Sequence, residues 1–391
     1  MKIVYTAPNK SHHYKYAKSM YDAGVLKAFV SGFSRFSPRA AFPEIGDKLY
    51  RADKLQTIYL AALKFGLPDK ITSELAFLAK GEQDRACKRF VRDSDVFLFY
   101  NGCGLKTCNY ARKHGSICVV EGVNSHVSYQ EKILSDEYSS LGLHWEPFHQ
   151  REKSKRLKEY DAADYILVPS DFVRNSFLEY GFPFEKIIKV PYGFNSFPNQ
   201  DQLPDSDTSD DFTILYVGSV SVRKGLRYLL KAFDNFEHPK KKLVIVGPDV
   251  AGENGIRDLK IPENVVFTGA LKGEELENAY KSANVFCLPS IEEGLALVLG
   301  EALSFGIPIV ATINTGATDI ISDGVEGFIV PIRDPLSISE KFQQLADDKE
   351  LYFNVKQNAV KKAKGLKGWD VAGDLLVSSL EKVVEENRQK G

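Results

Sequence analysis

The stretch VFCLPSIEEGLALVLGEALSFGIPIVAT, residues 285–312, decides the fold. VFCLPS is a continuous apolar run, as expected of a parallel strand buried on both faces. EEG follows as a turn. LALVLGEALSFG then carries helical periodicity; Gly306 ends it and Pro308 bars its continuation. IPIVAT is again a strand. Glu293 therefore falls at a strand–helix junction, near the C-terminal end of a sheet, and Glu301 lies about two turns into the helix. Backbone N–H groups of residues 294–298 would point into the same crevice, where a helix N-terminus suits phosphate. Taken alone, the stretch reads equally well as a buried helix with two surface carboxylates.

The same pattern extends outward in both directions. Strands are expected at KIVYTA (2–7), LKAFVSG (26–32), VFLFYN (96–101), ICVVEG (117–122), YILVPS (165–170) and IIKVPYG (187–193). Six more follow at FTILYVG (212–218), KLVIVG (242–247), VVFTG (265–269), VFCLPS (285–290), IPIVAT (307–312) and GFIVPI (327–332). Helix-length segments separate them, which predicts an α/β chain with two doubly wound parallel sheets. ADYILVPSDF (163–172) echoes ANVFCLPSIE (283–292), in keeping with two similar sheets. The expected division is a first domain over 1–200, a linker over 201–211, a second domain over 212–368, and a terminal helix over 369–391 that could cross back to the first domain. The linker reading rests on NSFPNQDQLPDSDTSDD (195–211), rich in proline and aspartate. The tail has apolar Val371, Leu375, Leu376, Leu380 and Val383 on an approximate helical stripe.

Composition excludes several classes. The chain has 391 residues, 43% hydrophobic and 26% charged, which is ordinary for a folded globular protein of about two domains. No apolar run is long enough to span a membrane. Met1 leads directly into KIVYTA without an apolar signal-peptide core, so a cytoplasmic protein is expected. The five cysteines are scattered, with no CxxC pair or zinc spacing, and read as reduced thiols. The net charge of −1 hides an asymmetry: residues 1–200 hold 29 basic against 22 acidic side chains. A basic first half suits an anionic lipid or a phosphorylated substrate. The excess is modest and no aromatic–basic motif accompanies it, which argues against nucleic-acid binding.

A second constellation lies at GSVSVRKGLRYLLKAF (218–233), where Arg223 and Lys224 stand in a turn before a helix. Helix N-termini favour acidic residues, so two cations there suit a pyrophosphate. There is no GxGxxG and no GxxxxGK[ST], which argues against a dehydrogenase and a P-loop ATPase. Through YVGSVSVRKGLRYLLKAF, KLVIVG, VVFTGAL, the paired glutamates of SIEEGLALVLGEALSFG, NTGATDII and SDGVEGFIVPIRDP, most of residues 212–335 resembles the donor domain of retaining glycosyltransferases of the GT-B fold, family 4. SHVSYQ (125–130), ADYILVPSDFVRNSF (163–177) and VPYGFN (190–195) extend a looser match into the first half.

The resemblance implies two Rossmann-like domains facing across a cleft. It implies that Glu301 holds the nucleotide ribose and Glu293 the transferred sugar. Gly218 and Ser219 would border the donor, and Arg223 and Lys224 would neutralise the diphosphate. Gly294, Leu295, Ala296, Leu297 and Val298 would offer backbone N–H groups to sugar and diphosphate. Phe267, Thr268, Gly269 and Ala270 would border the base, and His126 would reach the donor sugar from the first domain. Three departures stand out: Ser219 where the family often has arginine, Gly294-Leu295-Ala296 in place of Gly-Phe-Gly, and Pro8 to His13 in place of a Gly-Gly loop. Asp205-Ser206-Asp207 matches the Asp-x-Asp metal motif of another class of sugar transferases, but it lies in the polar linker and reads as a spacer.

The expected activity is transfer of a sugar from a nucleotide-diphosphate sugar, UDP first and GDP second, to a glycan or lipid-linked acceptor. Retention, bacterial surface-polysaccharide assembly (lipopolysaccharide O-antigen or capsule) and independence of metal and cofactor are further expectations. A sugar-nucleotide epimerase or hydrolase, or an inactive glycan- or nucleotide-binding partner, are the alternatives. Residues 46–80 mix lysines with Leu, Ile, Tyr and Phe. They read either as helices packed on the sheet or as a surface for an anionic membrane, at the inner face of the cytoplasmic membrane.

Overall fold

The computed structural model describes residues 1–194, 211–248 and 255–390. Most of the expected linker, including Asp205 and Asp207, lies outside the described residues. The first sheet is built from β1 (Ile3–Ala7), β2 (Leu26–Ser31), β3 (Leu49–Arg51), β4 (Val96–Tyr100), β5 (Ile117–Glu121), β6 (Tyr165–Val168) and β7 (Ile187–Lys189), in the order β3-β2-β1-β4-β5-β6-β7. The second contains β8 (Phe212–Val217), β9 (Lys241–Val246), β10 (Val265–Gly269), β11 (Val285–Leu288), β12 (Ile309–Thr312) and β13 (Gly327–Val330), in the order β10-β9-β8-β11-β12-β13. Every named strand pair is parallel. In each sheet the first strand is central and the order reverses beside it, between β1 and β4 and between β8 and β11. Those switch points open crevices at the carboxyl ends of the strands, where α/β proteins bind ligands.

The strands read as unbroken apolar runs because both faces are covered. Val4, Phe97, Phe99, Val120 and Ile166 pack on one side of the first sheet, and Tyr5, Leu98, Val119 and Leu167 on the other. One strand escaped the sequence reading: β3 is three half-buried residues at the sheet edge, too short to show a period.

The first domain carries α1 (His13–Asp22), α2 (Lys54–Lys64), α3 (Asp69–Cys87), α4 (Leu105–Arg112), α5 (Val127–Ser140), α6 (Gln150–Ala162) and α7 (Asp171–Glu179). The second carries α8 (Leu226–Asn235), α9 (Glu274–Lys281), α10 (Leu297–Ser304), α11 (Pro335–Asp347) and α12 (Lys349–Lys364), and α13 (Trp369–Lys390) ends the chain. Helix α13 packs on α1, with Gly373 so close to Ser19 that a Cβ there would sit 1.9 Å from its Oγ. Arg388 reaches Asp95 at 2.8 Å, so the last helix lies against the first domain.

Helix α10 is shorter than its periodicity predicts. Leu295 and Ala296 precede it, and Ala296 is extended (φ −78°, ψ 103°). The cause is tertiary: Glu293 N–H bonds Asn314 O at 2.9 Å and Ala296 N–H bonds Thr315 O at 3.1 Å, which holds 293–296 straight against the turn after β12.

Candidate functional site

The site forms where the turns after β8 and β11 meet the loop after β5. Gly225 adopts φ +68°, and a Cβ there would lie 2.0 Å from Pro289 O, so only glycine lets the two second-domain turns touch. Arg223 O accepts from Ile291 N–H at 2.9 Å, which fixes the Arg223-Lys224 turn on the strand end. Arg223 Nε then donates to Glu292 at 2.8 Å and Nη2 to Glu293 at 3.4 Å; Lys224 pairs with the other oxygen of Glu293. Burial works against the Arg223 charge, yet Glu293 and Glu292 hold its pKa well above the ordinary value.

Glu292, not Glu293, proves to be the deeper of the pair, and the sequence reading passed over it. Its side chain is fully buried. It accepts from Ser125 N–H (3.1 Å), Ser125 Oγ (2.7 Å), Gln130 Nε2 (2.9 Å) and Arg223 Nε (2.8 Å). Burial alone would raise its pKa. The Arg223 charge and the hydrogen bonds from Ser125, Gln130 and Arg223 outweigh that and hold it below the usual carboxylate range. Three of the four donors belong to the first domain, so Glu292 clamps the domains together. The adjacent doublet Glu292-Glu293 was the available signal, but nothing local marks a partner 167 positions away.

Other cross-domain contacts surround this clamp. Gly294 lies against the first domain so tightly that a Cβ would sit 1.8 Å from Val123 O. Its carbonyl accepts from Ser170 Oγ at 2.6 Å. The Pro-Ser end of β6 thus meets the turn that follows β11. Asp319 accepts from Asp171 N–H at 2.8 Å and pairs with Lys189 at 3.0 Å. Glu137 on α5 takes Tyr228 Oη at 2.8 Å and Arg333 Nε at 2.5 Å. Helix α5 is therefore held at its start through Glu292 and near its end through Glu137.

The remaining expected donor residues line the second-domain crevice unevenly. Glu301 is half-buried on α10 and accepts from Tyr280 Oη at 2.9 Å. Burial raises its pKa, opposed by the Tyr280 hydrogen bond. Gly218 and Ser219 end β8, where Tyr216 Oη donates to Ser219 O at 2.7 Å. Phe267, Thr268, Gly269 and Ala270 stand exposed at the end of the edge strand β10. Of the five expected N–H donors, Ala296 is already satisfied by Thr315. Among the described residues, Gly294, Leu295, Leu297 and Val298 make no backbone hydrogen bond through N–H to the loops around them.

His126 does not join this group. It caps α5, with Nδ1 accepting from Ser128 N–H at 3.3 Å. Its ring stacks on Tyr180 at 4.5 Å and meets Phe177 and Tyr160 at 5.2 and 5.0 Å. The recess it borders is lined by first-domain residues only. Desolvation, helped by Lys153, pushes its pKa down to about 4. The aromatic nest holds the ring against residues of its own domain. Its neighbour Ser125 makes the cross-domain contact instead.

Two Rossmann-like parallel-sheet domains meeting at such a crevice define the GT-B architecture. Comparison with known proteins agrees. HepE of Anabaena in complex with UDP superposes with a TM-score of 0.67 at 15% identity, covering 98% of this chain and 100% of that one. Sucrose-phosphate synthase of Thermosynechococcus elongatus gives 0.69 at 17% identity over 99% and 100%. Residues 200–362 match the family model of glycosyl transferases group 1. An uncharacterized glycosyltransferase of Methanocaldococcus jannaschii is 32% identical over 170 residues, 41% of this chain and 42% of the relative. The capsular polysaccharide biosynthesis glycosyltransferase CapM of Staphylococcus aureus is 28% identical over 187 residues, 46% and 49% of the two chains. The lipopolysaccharide 1,2-N-acetylglucosaminetransferase of Salmonella typhimurium is 28% identical over 203 residues, 46% and 53%. The chain thus spans about half the length of these relatives. No helix among the described residues is long and apolar enough to cross a membrane.

Proposed function

We propose that this protein is a retaining glycosyltransferase. It moves a sugar from a nucleotide-diphosphate sugar, UDP first and GDP second, to a hydroxyl of a glycan or lipid-linked acceptor. The observation that carries the reading is the convergence of Arg223, Lys224 and Glu293 at the β8 and β11 strand ends, closed from the other side by the Val123–Ser125 loop. A group-1 donor domain and a neighbour that binds UDP support it. Relatives named for capsule and lipopolysaccharide synthesis support a role in bacterial surface polysaccharide.

Breaking the bond between the anomeric carbon and the diphosphate oxygen leaves negative charge on the diphosphate. Glu292 and Glu293 fix Arg223 and Lys224 at the strand ends, so they meet that charge with little reorganisation. The acceptor oxygen forms the new bond to the anomeric carbon from the leaving-group face, and its proton passes to the departing diphosphate. Glu293 positions the sugar, and Glu301 holds the ribose hydroxyls. With two cations at the diphosphate, the transfer proceeds without a metal ion there.

The acceptor side supports a membrane-facing role at the inner face of the cytoplasmic membrane. Helices α2 and α3 form a hairpin that exposes Ile58, Leu60, Leu63, Phe65, Leu67 and Ile71, with Phe65 79% exposed at its tip. Lys54, Lys64 and Lys70 flank them. An apolar edge ringed by lysines suits an anionic lipid surface. Flotation with anionic vesicles checks this; no binding at low salt removes it.

Thermal shift against nucleoside diphosphates and their sugars tests the donor reading, since a ligand of the native state raises the melting temperature. A hit with UDP or GDP supports it, and no shift with any nucleotide sinks it. Nucleotide release that requires acceptor then separates transfer from hydrolysis. Loss of transfer in Glu293→Ala with nucleotide binding kept supports the positioning role, whereas a trapped glycosyl–Glu293 adduct refutes it.

A further inference from the structure

Around the carboxyl ends of β1 and β5, four side chains converge on the first-domain side. His12 Nε2 lies 2.6 Å from Glu121 Oε1, and His13 Nδ1 lies 3.2 Å from Oε2. Tyr5 Oη lies 2.7 Å from His13 Nδ1 and 3.0 Å from Glu121 Oε2. Nothing in the proposed transfer uses them. All four are buried, with Tyr5 at 0%, His13 at 1% and Glu121 at 2% exposure. The ligand atoms of the two histidines and the carboxylate all lie within 4.8 Å of one another.

We propose that His12, His13, Glu121 and Tyr5 form a structural site for a divalent first-row metal ion of the zinc class. Two imidazole nitrogens with carboxylate oxygen is a common zinc donor set, and the phenol oxygen closes a four-coordinate sphere. Tetrahedral bonds of about 2.0–2.1 Å place ligand atoms roughly 3.3–3.4 Å apart. The gaps of 2.6 Å at Oε1 and 2.7, 3.0 and 3.2 Å around Oε2 and Tyr5 open by less than an ångström, and any wider pair among the His12, His13 and Glu121 ligand atoms, all within 4.8 Å, closes by at most about 1.5 Å.

The second observation is electrostatic. Among the described residues, no lysine or arginine pairs with Glu121; its ion-pair partners are the two imidazoles alone. The imidazoles compensate that buried carboxylate only by carrying an extra proton, whereas a divalent ion supplies the charge directly. Binding through His12 Nε2 moves that ring's proton to Nδ1, and binding of Tyr5 as phenolate releases one proton.

The surroundings fit a fixed site. Tyr5 comes from β1, His13 opens α1, and Glu121 ends β5, so rigid elements present the ligands. Ser11 Oγ lies 3.4 Å from His12 Nδ1, the outer-shell bond that orients a metal-bound imidazole. Tyr192 stacks on the His12 ring at 4.2 Å, and Tyr100 meets His13 edge-on at 5.5 Å, giving the site an aromatic wall. Tyr192 in turn contacts Trp369 at the start of α13, so the ion would brace the first domain where the last helix lands on it.

The test uses the full chain purified from zinc-replete cells and dialysed without chelator. Elemental analysis should find one zinc per chain, and the stripped protein titrated with Co2+ should show the intense visible bands of tetrahedral cobalt. Glu121→Gln, close in shape, should lose both; Tyr5→Phe should keep the metal with about 10- to 100-fold weaker affinity. Retained UDP binding shows that each variant is folded at the donor domain. Metal-free wild type with no cobalt bands overturns the proposal and leaves a hydrogen-bonded proton network. Metal that persists in Glu121→Gln overturns it too, by placing the ion elsewhere.

Discussion

Replacing Glu292 by glutamine should separate donor binding from transfer. The carboxylate takes two donors on each oxygen: Ser125 N–H and Oγ on one, Gln130 Nε2 and Arg223 Nε on the other. In the amide, one oxygen becomes an NH2 group. The Ser125 hydroxyl can rotate and the Gln130 amide can flip to accept from it. Ser125 N–H or Arg223 Nε–H cannot, so one donor faces another whichever way the amide sits. Losing the charge and one such contact costs about 2–3 kcal/mol, or roughly 30- to 150-fold in the docked arrangement of the domains. That loss should appear in kcat/KM for sugar transfer. UDP affinity, measured by calorimetry, should stay the same, because Lys224, Glu293 and the second-domain turns are left in place. A parallel fall in UDP affinity and turnover would mean that Glu292 serves the donor directly. No fall in either would mean that the clamp is idle. Both outcomes refute the argument.

Four further outcomes follow from the same geometry. The depressed pKa of Glu292 stabilises the fold fully above the unfolded value of about 4.3 and is lost as pH falls through the lower folded value; urea midpoints should drop on that acid limb, less steeply in Glu292→Gln. Tyr280→Phe removes the hydrogen bond that lowers the Glu301 pKa, so the pH at which UDP affinity is half-lost should move upward. Gly294→Ala pushes a methyl against Val123 O, and an overpacking cost of about 1–3 kcal/mol should cut transfer roughly 5- to 150-fold, with UDP binding kept. Arg223→Ala and Lys224→Ala should each lower kcat by about 10²–10³-fold, while brief EDTA treatment leaves wild-type transfer intact; a chelator-sensitive wild type would contradict the cationic-site argument.

Strand-forming stretches, their alternation with helices and the two-sheet division were legible in the chain, because parallel strands covered on both faces must be continuously apolar. The Arg223-Lys224 turn and the Glu293 junction were legible for a related reason: each sits at a fixed place in a strand–turn–helix unit. Local pattern failed wherever a partner lay far away in sequence. Periodicity extended α10 through Leu295 and Ala296, but the turn at 313–316 captures Ala296 N–H and straightens the chain before Leu297. Tyr160, Phe177 and Tyr180 surround the His126 ring, an arrangement no spacing in the chain announces. Glu292 looked like a spare carboxylate beside Glu293, yet it is the one buried between domains. By itself, the sequence determined most strands and helices, the short edge strand β3 excepted, and where cations meet a strand end, because hydrophobic period and turn chemistry are local. Only the tertiary structure decided which carboxylate clamps and which reaches the crevice, and that His12, His13 and Glu121 share one cluster. Those outcomes depend on contacts more than a hundred residues apart, which no local spacing encodes.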